Sequence, residues 1–101
     1  MLFLAVLDMK KRSRLEIYVD VLRAIKKGYA KPTPIMYNAN LSWRPLCEIL
    51  SFLKENKAII ERNSGNRREY FLTEKGKEIL RMFEQLESKL LLTERTEYLH
   101  E

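Results

Sequence analysis

The sequence has 101 residues, enough for one domain with one hydrophobic core and too few for two independent cores. Hydrophobic residues make up 46% and charged residues 33%, which excludes wholesale disorder, and the formal net charge of +5 favours a polyanionic partner. Because Cys47 is the single cysteine and His100 the single histidine, we expect a reducing, cytoplasmic setting, no metal, no cofactor and no enzymatic activity.

The positive charge is concentrated in the first three quarters of the chain. Residues 1–73 contain fourteen Lys or Arg and seven Asp or Glu, whereas residues 74–101 contain five and seven. This asymmetry predicts a basic domain over residues 10–73 and a charge-balanced helix over residues 74–101.

We predict that residues 1–9 form an apolar N-terminal extension. The apolar run over residues 1–7 is much shorter than the roughly 20 residues that a membrane-spanning helix needs, and it ends at Asp8. We expect no membrane association. The run is either a short packing or dimer-contact segment, or an upstream extension of a chain that starts at Met9.

The first predicted helix covers residues 13–27. Ser13 and Glu16 have the spacing of a capping box, in which each side chain bonds to a free backbone N–H of the first turn. Apolar residues follow at helical spacing, and Gly28 is placed to end the helix in a left-handed conformation.

The second and third predicted helices are joined by a turn. Pro32 and Pro34 permit only a short second helix, with Thr33 as its N-cap and Pro34 at its first position, and residues 38–40 favour a turn. The third helix is predicted over residues 42–56, with Ser42 as N-cap. Its apolar stripe consists of Leu46, Ile49, Leu50 and Leu53.

A hairpin and a long helix complete the chain. Residues 58–61 and 70–72 are predicted strands, joined by a polar loop over residues 62–69. Thr73 is placed to cap the final helix, which is predicted to reach about residue 99. Its apolar stripe has the spacing of a coiled-coil seam and predicts dimerisation, although it could instead cover the protein's own core: Ile79, Phe83, Leu86 and Leu90.

This order of elements predicts a mainly α fold with a small β-hairpin, a winged helix-turn-helix followed by a long dimerisation helix. Three blocks of sequence, residues 10–17, 35–42 and 70–76, together resemble the small archaeal winged-helix family of dimeric DNA-binding and chromatin-associated proteins. The resemblance covers about residues 10–92. It implies a homodimer joined by an antiparallel coiled coil, and an abundant nucleoid protein or a transcriptional regulator. The chain departs from the family in residues 1–7 and in Trp43-Arg44-Pro45.

Candidate contacts with double-stranded DNA come from three regions. A basic run precedes the first helix, the third helix is expected to enter the major groove, and basic residues flank the hairpin tip. Arg44 is the best candidate for direct readout, because a guanidinium can form two bonds to guanine. The full predicted set is Lys10, Lys11, Arg12, Arg14, Tyr37, Ser42, Trp43, Arg44, Cys47, Ser51, Arg62, Arg67 and Arg68.

Several of these residues have a simpler structural interpretation. The basic run and the hairpin could be solvated surface. Trp43 could belong to the core or to an interface, and Tyr37 could pack on the core with its hydroxyl in water. Cys47 could be a small half-buried side chain or, less simply, a redox sensor. For the whole protein, the alternative function is a winged-helix module that binds other proteins and no DNA.

Overall fold

The computed structural model describes the backbone of residues 12–99 and the side chains of residues 12–90. The predicted N-terminal extension, Lys10 and Lys11 therefore lie outside the described residues. The elements in chain order are α1 (Arg14–Lys26), α2 (Pro32–Asn38), α3 (Trp43–Glu55), β1 (Ile59–Ser64), β2 (Arg67–Leu72) and α4 (Glu74–Leu99). This arrangement confirms the predicted winged-helix architecture.

The start of α1 is fixed by the predicted capping box. The backbone N–H of Glu16 donates to Ser13 Oγ at 3.1 Å, and the backbone N–H of Ser13 donates to Glu16 Oε1 at 3.0 Å. These bonds, led by the one from the Ser13 backbone, hold the pKa of Glu16 below its usual value. The capping bonds satisfy backbone donors that the first turn leaves free.

The first three helices end in the same way, on a residue in the left-handed region. Gly28, Asn40 and Lys57 have φ values of +112°, +56° and +62°. In each case the N–H of the following residue bonds to the carbonyl five positions back, at 2.9–3.2 Å. Gly28 and Asn40 are residue types that tolerate this conformation, whereas nothing in the sequence around Lys57 indicates it.

The short helix α2 begins earlier than predicted. Pro32, rather than Pro34, is its first residue, and Lys31 takes the N-cap position without a side-chain cap bond. The prediction of Thr33 as N-cap is therefore wrong. Pro32 can open the helix because the N–H that it lacks would have no acceptor there, and its fixed φ is already helical.

The hairpin is more regular than predicted. Its strands pair antiparallel from Ile59 opposite Leu72 to Ser64 opposite Arg67, so only Gly65 and Asn66 form the turn. The predicted eight-residue loop is therefore wrong. Polar residues continue both strands because a two-stranded ribbon exposes much of its surface, and Gly65 supplies the positive φ of +62° for a two-residue turn.

The core lies between α1, α3 and the base of the hairpin. Helix α1 supplies much of it, and the C-terminal helix contributes Leu80. The backbone N–H of Tyr70 donates to the carbonyl of Ala30 at 2.8 Å, which ties the segment before α2 to the hairpin. The buried apolar residues are Val19, Val21, Leu22, Ala24, Ile25, Ile35, Ala39, Leu46, Leu50, Leu53, Ala58, Ile59, Tyr70 and Leu80.

The predicted apolar stripe of α4 consists of two parts that differ in burial. Ile79 and Phe83 pack against the core of their own subunit, whereas Leu86 and Leu90 are 55% and 56% exposed. Met82, which was not predicted to belong to the stripe, is 61% exposed. Among residues 12–99, no helix combines the length and the apolar character needed to cross a membrane.

Candidate nucleic-acid interface

Helix α3 buries one face and presents the opposite face to solvent. Leu46, Leu50 and Leu53 point into the core. The outward face consists of Arg44, Glu48, Ser51 and Glu55, all of which are exposed. This face carries two carboxylates and one guanidinium, so most of the attraction for a polyanion has to come from the edges of the helix.

One edge of α3 forms a groove with the hairpin. Trp43, Cys47, Ser51 and Lys54 recur at intervals of four, four and three residues and line the helical wall. The opposite wall is formed by hairpin residues, namely Glu61, Arg68 and Tyr70. Pro32 and Leu50 complete the lining, so the groove brings together side chains that are up to 38 residues apart in sequence.

An ion pair spans this groove. Lys54 Nζ donates to Glu61 Oε1 at 3.0 Å. This bond, together with the positive charge of Arg68 and a hydrogen bond with Tyr70, holds the pKa of Glu61 below its usual value. The pKa of Tyr70 is raised, chiefly by burial and also by the nearby Glu61 carboxylate. The hairpin and α3 are therefore held together by charged groups as well as by the core.

A shallow trough continues from the groove toward the hairpin tip. Trp43, which is 53% exposed, lies in it beside Arg67 and Arg68. The segment of residues 31–34 and Asn66 complete the lining. Trp43 is therefore a surface residue, and the alternative that it belongs to the core is wrong.

The three arginines of the hairpin have different surroundings. The Arg62 guanidinium lies 5.3 Å from the centre of the Phe71 ring, in a cation–π contact. Arg67 and Arg68 both line the trough beside Trp43, and Arg68 also lines the groove. Only the latter pair is placed next to α3.

Arg12 is engaged within the protein, in contrast to its predicted contact with phosphate. Its Nη1 donates to Asp20 Oδ2 at 2.8 Å and to the Ala39 carbonyl at 2.9 Å, and its Nη2 donates to the Asn40 carbonyl at 2.9 Å. Its side chain is only 18% exposed. Arg14, by contrast, is exposed on α1, beside a separate shallow depression between α1 and α3 that is lined mainly by apolar residues.

The remaining predicted residues are placed as follows. Tyr37 lies in the last turn of α2 and is 75% exposed, so the alternative that it packs on the core is wrong. Ser42 is at the N-cap position of α3, but its side chain makes no cap bond. Cys47 is a free, half-buried cysteine on the groove wall.

Sequence reasoning missed Lys31, Lys54, Glu61 and Asn66 as part of this surface. Lys54 has a detectable signal, because it continues the spacing of Trp43, Cys47 and Ser51 along one helical edge. The other three, Lys31, Glu61 and Asn66, are brought to this surface by the tertiary fold.

A family model describing the winged helix-turn-helix matches residues 11–91. The chain belongs to the winged helix-turn-helix family. An uncharacterized protein of Methanocaldococcus jannaschii, MJ0287, is 37% identical over 83 residues, which cover 78% of this chain and 81% of that protein. A second uncharacterized protein of that archaeon, MJ0290, is 34% identical over 76 residues, which cover 75% of this chain but only 34% of the relative.

Solved structures of other winged-helix proteins share the fold. Sso10a-2, a DNA-binding protein from Sulfolobus solfataricus, superposes with a TM-score of 0.72 at 24% identity, over 87% of this chain and 93% of that one. MepR, a transcription regulator of the Staphylococcus aureus multidrug efflux pump MepA, gives 0.70 at 15% identity, over 92% and 70%. MarR of Staphylococcus aureus gives 0.72 at 23% identity, over 79% and 56%.

Proposed function

We propose that the protein binds double-stranded DNA as a homodimer and acts as a transcriptional regulator or a chromatin protein of the nucleoid. The observation that carries this proposal is the convergence of Lys31, Arg67 and Arg68 on the exposed Trp43 at the start of α3. A helix N-terminus flanked by cations suits a DNA backbone that passes beside it, since phosphate contacts orient a protein on the duplex.

In this proposal α3 lies in the major groove. Arg44 is exposed on the outward face and can form two bonds to a guanine, while Glu48, one turn further on, can accept from the amino group of a cytosine. The two glutamates of this face oppose non-specific attraction to phosphates. Phosphate binding is therefore assigned to cations beside this face, the hairpin pair Arg67 and Arg68 and the exposed Arg14. We also assign it to Lys10 and Lys11, which lie outside the described residues.

Residues 10–73 serve as the DNA-binding domain in this proposal, and residues 74–101 pair the two subunits. Met82, Leu86 and Leu90 form an exposed apolar strip along α4, which suits contact with the same strip of a second copy. Sso10a-2, which shares the fold, is named a DNA-binding protein, and this supports the assignment.

The test is equilibrium binding to a mixed-sequence duplex over a salt series. We expect a steep fall of affinity with salt, because cations that contact phosphates release condensed counterions. Replacing Arg67 and Arg68 by Ala should weaken binding on all sequences and flatten the slope of log K against log salt by about one to two units.

The matched control replaces Lys77 and Arg81, which are exposed on α4, by Ala. This variant loses the same charge away from the trough, so its slope should stay close to that of the unmodified protein. Absence of binding even at low salt would reject DNA as the partner and favour a protein-binding winged helix. Equal slopes for both double variants would remove the hairpin from the interface.

A further inference from the structure

Glu61 is an acidic residue placed in an otherwise cationic part of the candidate interface. It lies on β1 directly opposite Tyr70 of β2, and its side chain is 17% exposed. Among the described residues that line the groove between α3 and the hairpin, Glu61 is the single carboxylate, and Lys54 and Arg68 are the two cations. This composition places one anion in the same groove as two cations that would otherwise be available to a phosphate.

The Glu61 carboxylate contacts Lys54 in the geometry expected for an anion bound by a lysine. Lys54 Nζ and Glu61 Oε1 are 3.0 Å apart, which is the distance expected for a charge-assisted hydrogen bond. The positive charge of Arg68 also acts on the carboxylate, and the lowered pKa of Glu61 means that it is ionised at neutral pH. Lys54 itself is half exposed, so a phosphate could approach it from solvent.

We propose that Glu61 attenuates DNA binding: in the free protein its carboxylate pairs with Lys54 and attracts the nearby Arg68, and it competes with DNA phosphates for these cations. The inference rests on the proposed function and adds an internal control of affinity to it. On binding, Lys54 exchanges the carboxylate for a phosphate, so part of the attraction to DNA is used to break an existing ion pair.

A purely structural role for Glu61 makes the opposite prediction. If the ion pair served only to hold the hairpin against α3, removing the charge would loosen the hairpin and weaken binding. If Glu61 competes with phosphate, removing the charge strengthens binding. Glu61→Gln separates the two, because the amide keeps the shape and can still accept a hydrogen bond from Lys54.

We expect Glu61→Gln to bind a mixed-sequence duplex about two- to fivefold more tightly at low salt, the range that breaking one partly exposed ion pair allows. The slope of log K against log salt should stay close to that of the unmodified protein, because Lys54 contacts a phosphate in both complexes and the same number of counterions is released. Glu61→Ala should also tighten binding. Thermal unfolding followed by circular dichroism verifies that each variant is folded.

Two controls test whether the effect depends on the position of Glu61 and on its partner Lys54. Glu78→Gln removes the same charge from an exposed position on α4 and should leave affinity and slope nearly unchanged. In a Lys54→Met background, Glu61→Gln should give a smaller gain, because one of the two competing cations is already gone. A double-mutant cycle in binding free energy measures this coupling.

The outcomes distinguish this inference from the proposed function. If the unmodified protein binds DNA with a steep salt dependence but folded Glu61→Gln binds equally or more weakly, the attenuation is rejected and DNA binding stands. Equal tightening by Glu78→Gln would also reject it, because the effect would then be one of net charge. If the unmodified protein binds no DNA at low salt, the proposed function fails first and the inference fails with it.

Discussion

The guanidinium of Arg12 connects three parts of the fold. It bonds to Asp20 on α1 and to the carbonyls of Ala39 and Asn40, where α2 ends and the turn to α3 begins. Asp20 also pairs with Arg23 at 3.4 Å, and Arg23 reaches α4 through Glu84 and Glu87. A chain of charged groups thus runs from the helix-turn-helix turn to the C-terminal helix.

Replacing Arg12 by Ala should lower the free energy of unfolding by about 2 kcal/mol, because it leaves the half-buried Asp20 and two helix-end carbonyls with fewer donors. Urea unfolding measures the change. Arg14→Ala is the control, since Arg14 is exposed and should affect DNA affinity more than stability. Equal stability of the two variants would show that the Arg12 contacts contribute little.

The first turn of α4 is tightly fitted against the chain before β1. Thr73 Oγ1 accepts from the N–H of Gly76 at 3.1 Å and donates to the carbonyl of Lys57 at 2.6 Å, so the predicted cap also anchors the helix to the end of α3. Gly76 is buried, and a Cβ added there would overlap the carbonyl oxygen of Ala58. The element needs glycine because two backbones approach closely.

Gly76→Ala should therefore destabilise the protein by about 1–3 kcal/mol, although alanine is the better helix former, because the overlap forces a backbone shift. Gln85→Ala, at an exposed position of the same helix, should change stability by less than about 0.5 kcal/mol. Chemical denaturation of both variants compares them directly. An unchanged or higher stability of Gly76→Ala would mean that the two backbones separate at little cost.

In the whole molecule, part of the apolar stripe of α4 packs on the core and part is exposed. This difference determines which substitutions can test dimerisation. Phe83 packs against the core of its own subunit, so a charge there would disturb folding as well as assembly. Leu86 and Leu90 are exposed in the single chain and can be changed without opening that core. They are the appropriate targets.

Replacing Leu86 and Leu90 by Glu should convert the proposed dimer into folded monomers. The substitution removes the apolar contacts between the two strips and places like charges opposite each other. Light scattering after gel filtration gives the mass, and DNA affinity should fall because two half-sites are no longer linked. A matched variant places Glu at Gln85 and Ser88, exposed positions away from the strip, and should remain dimeric. Persistence of the dimer in the first variant would move the interface elsewhere.

Features that depend on neighbours within one or two helical turns could be predicted from the sequence. The capping box at Ser13, the helix end at Gly28, the cap at Thr73 and the apolar stripe of α3 involve residues close in sequence, so local chemistry specifies them. The order of these elements, together with the resemblance, was enough to predict the winged helix.

The tertiary structure alone decided which charged residues are available. Arg12 has the composition of a phosphate ligand but is bonded to carbonyls 27 and 28 residues away, and Glu61 meets Lys54 only because the hairpin folds back onto α3. The same holds for Phe83 and Leu86, which share a sequence period but differ in burial. A charge or a methyl group has the same sequence signature in either setting, because its partners are brought to it by distant segments of the chain.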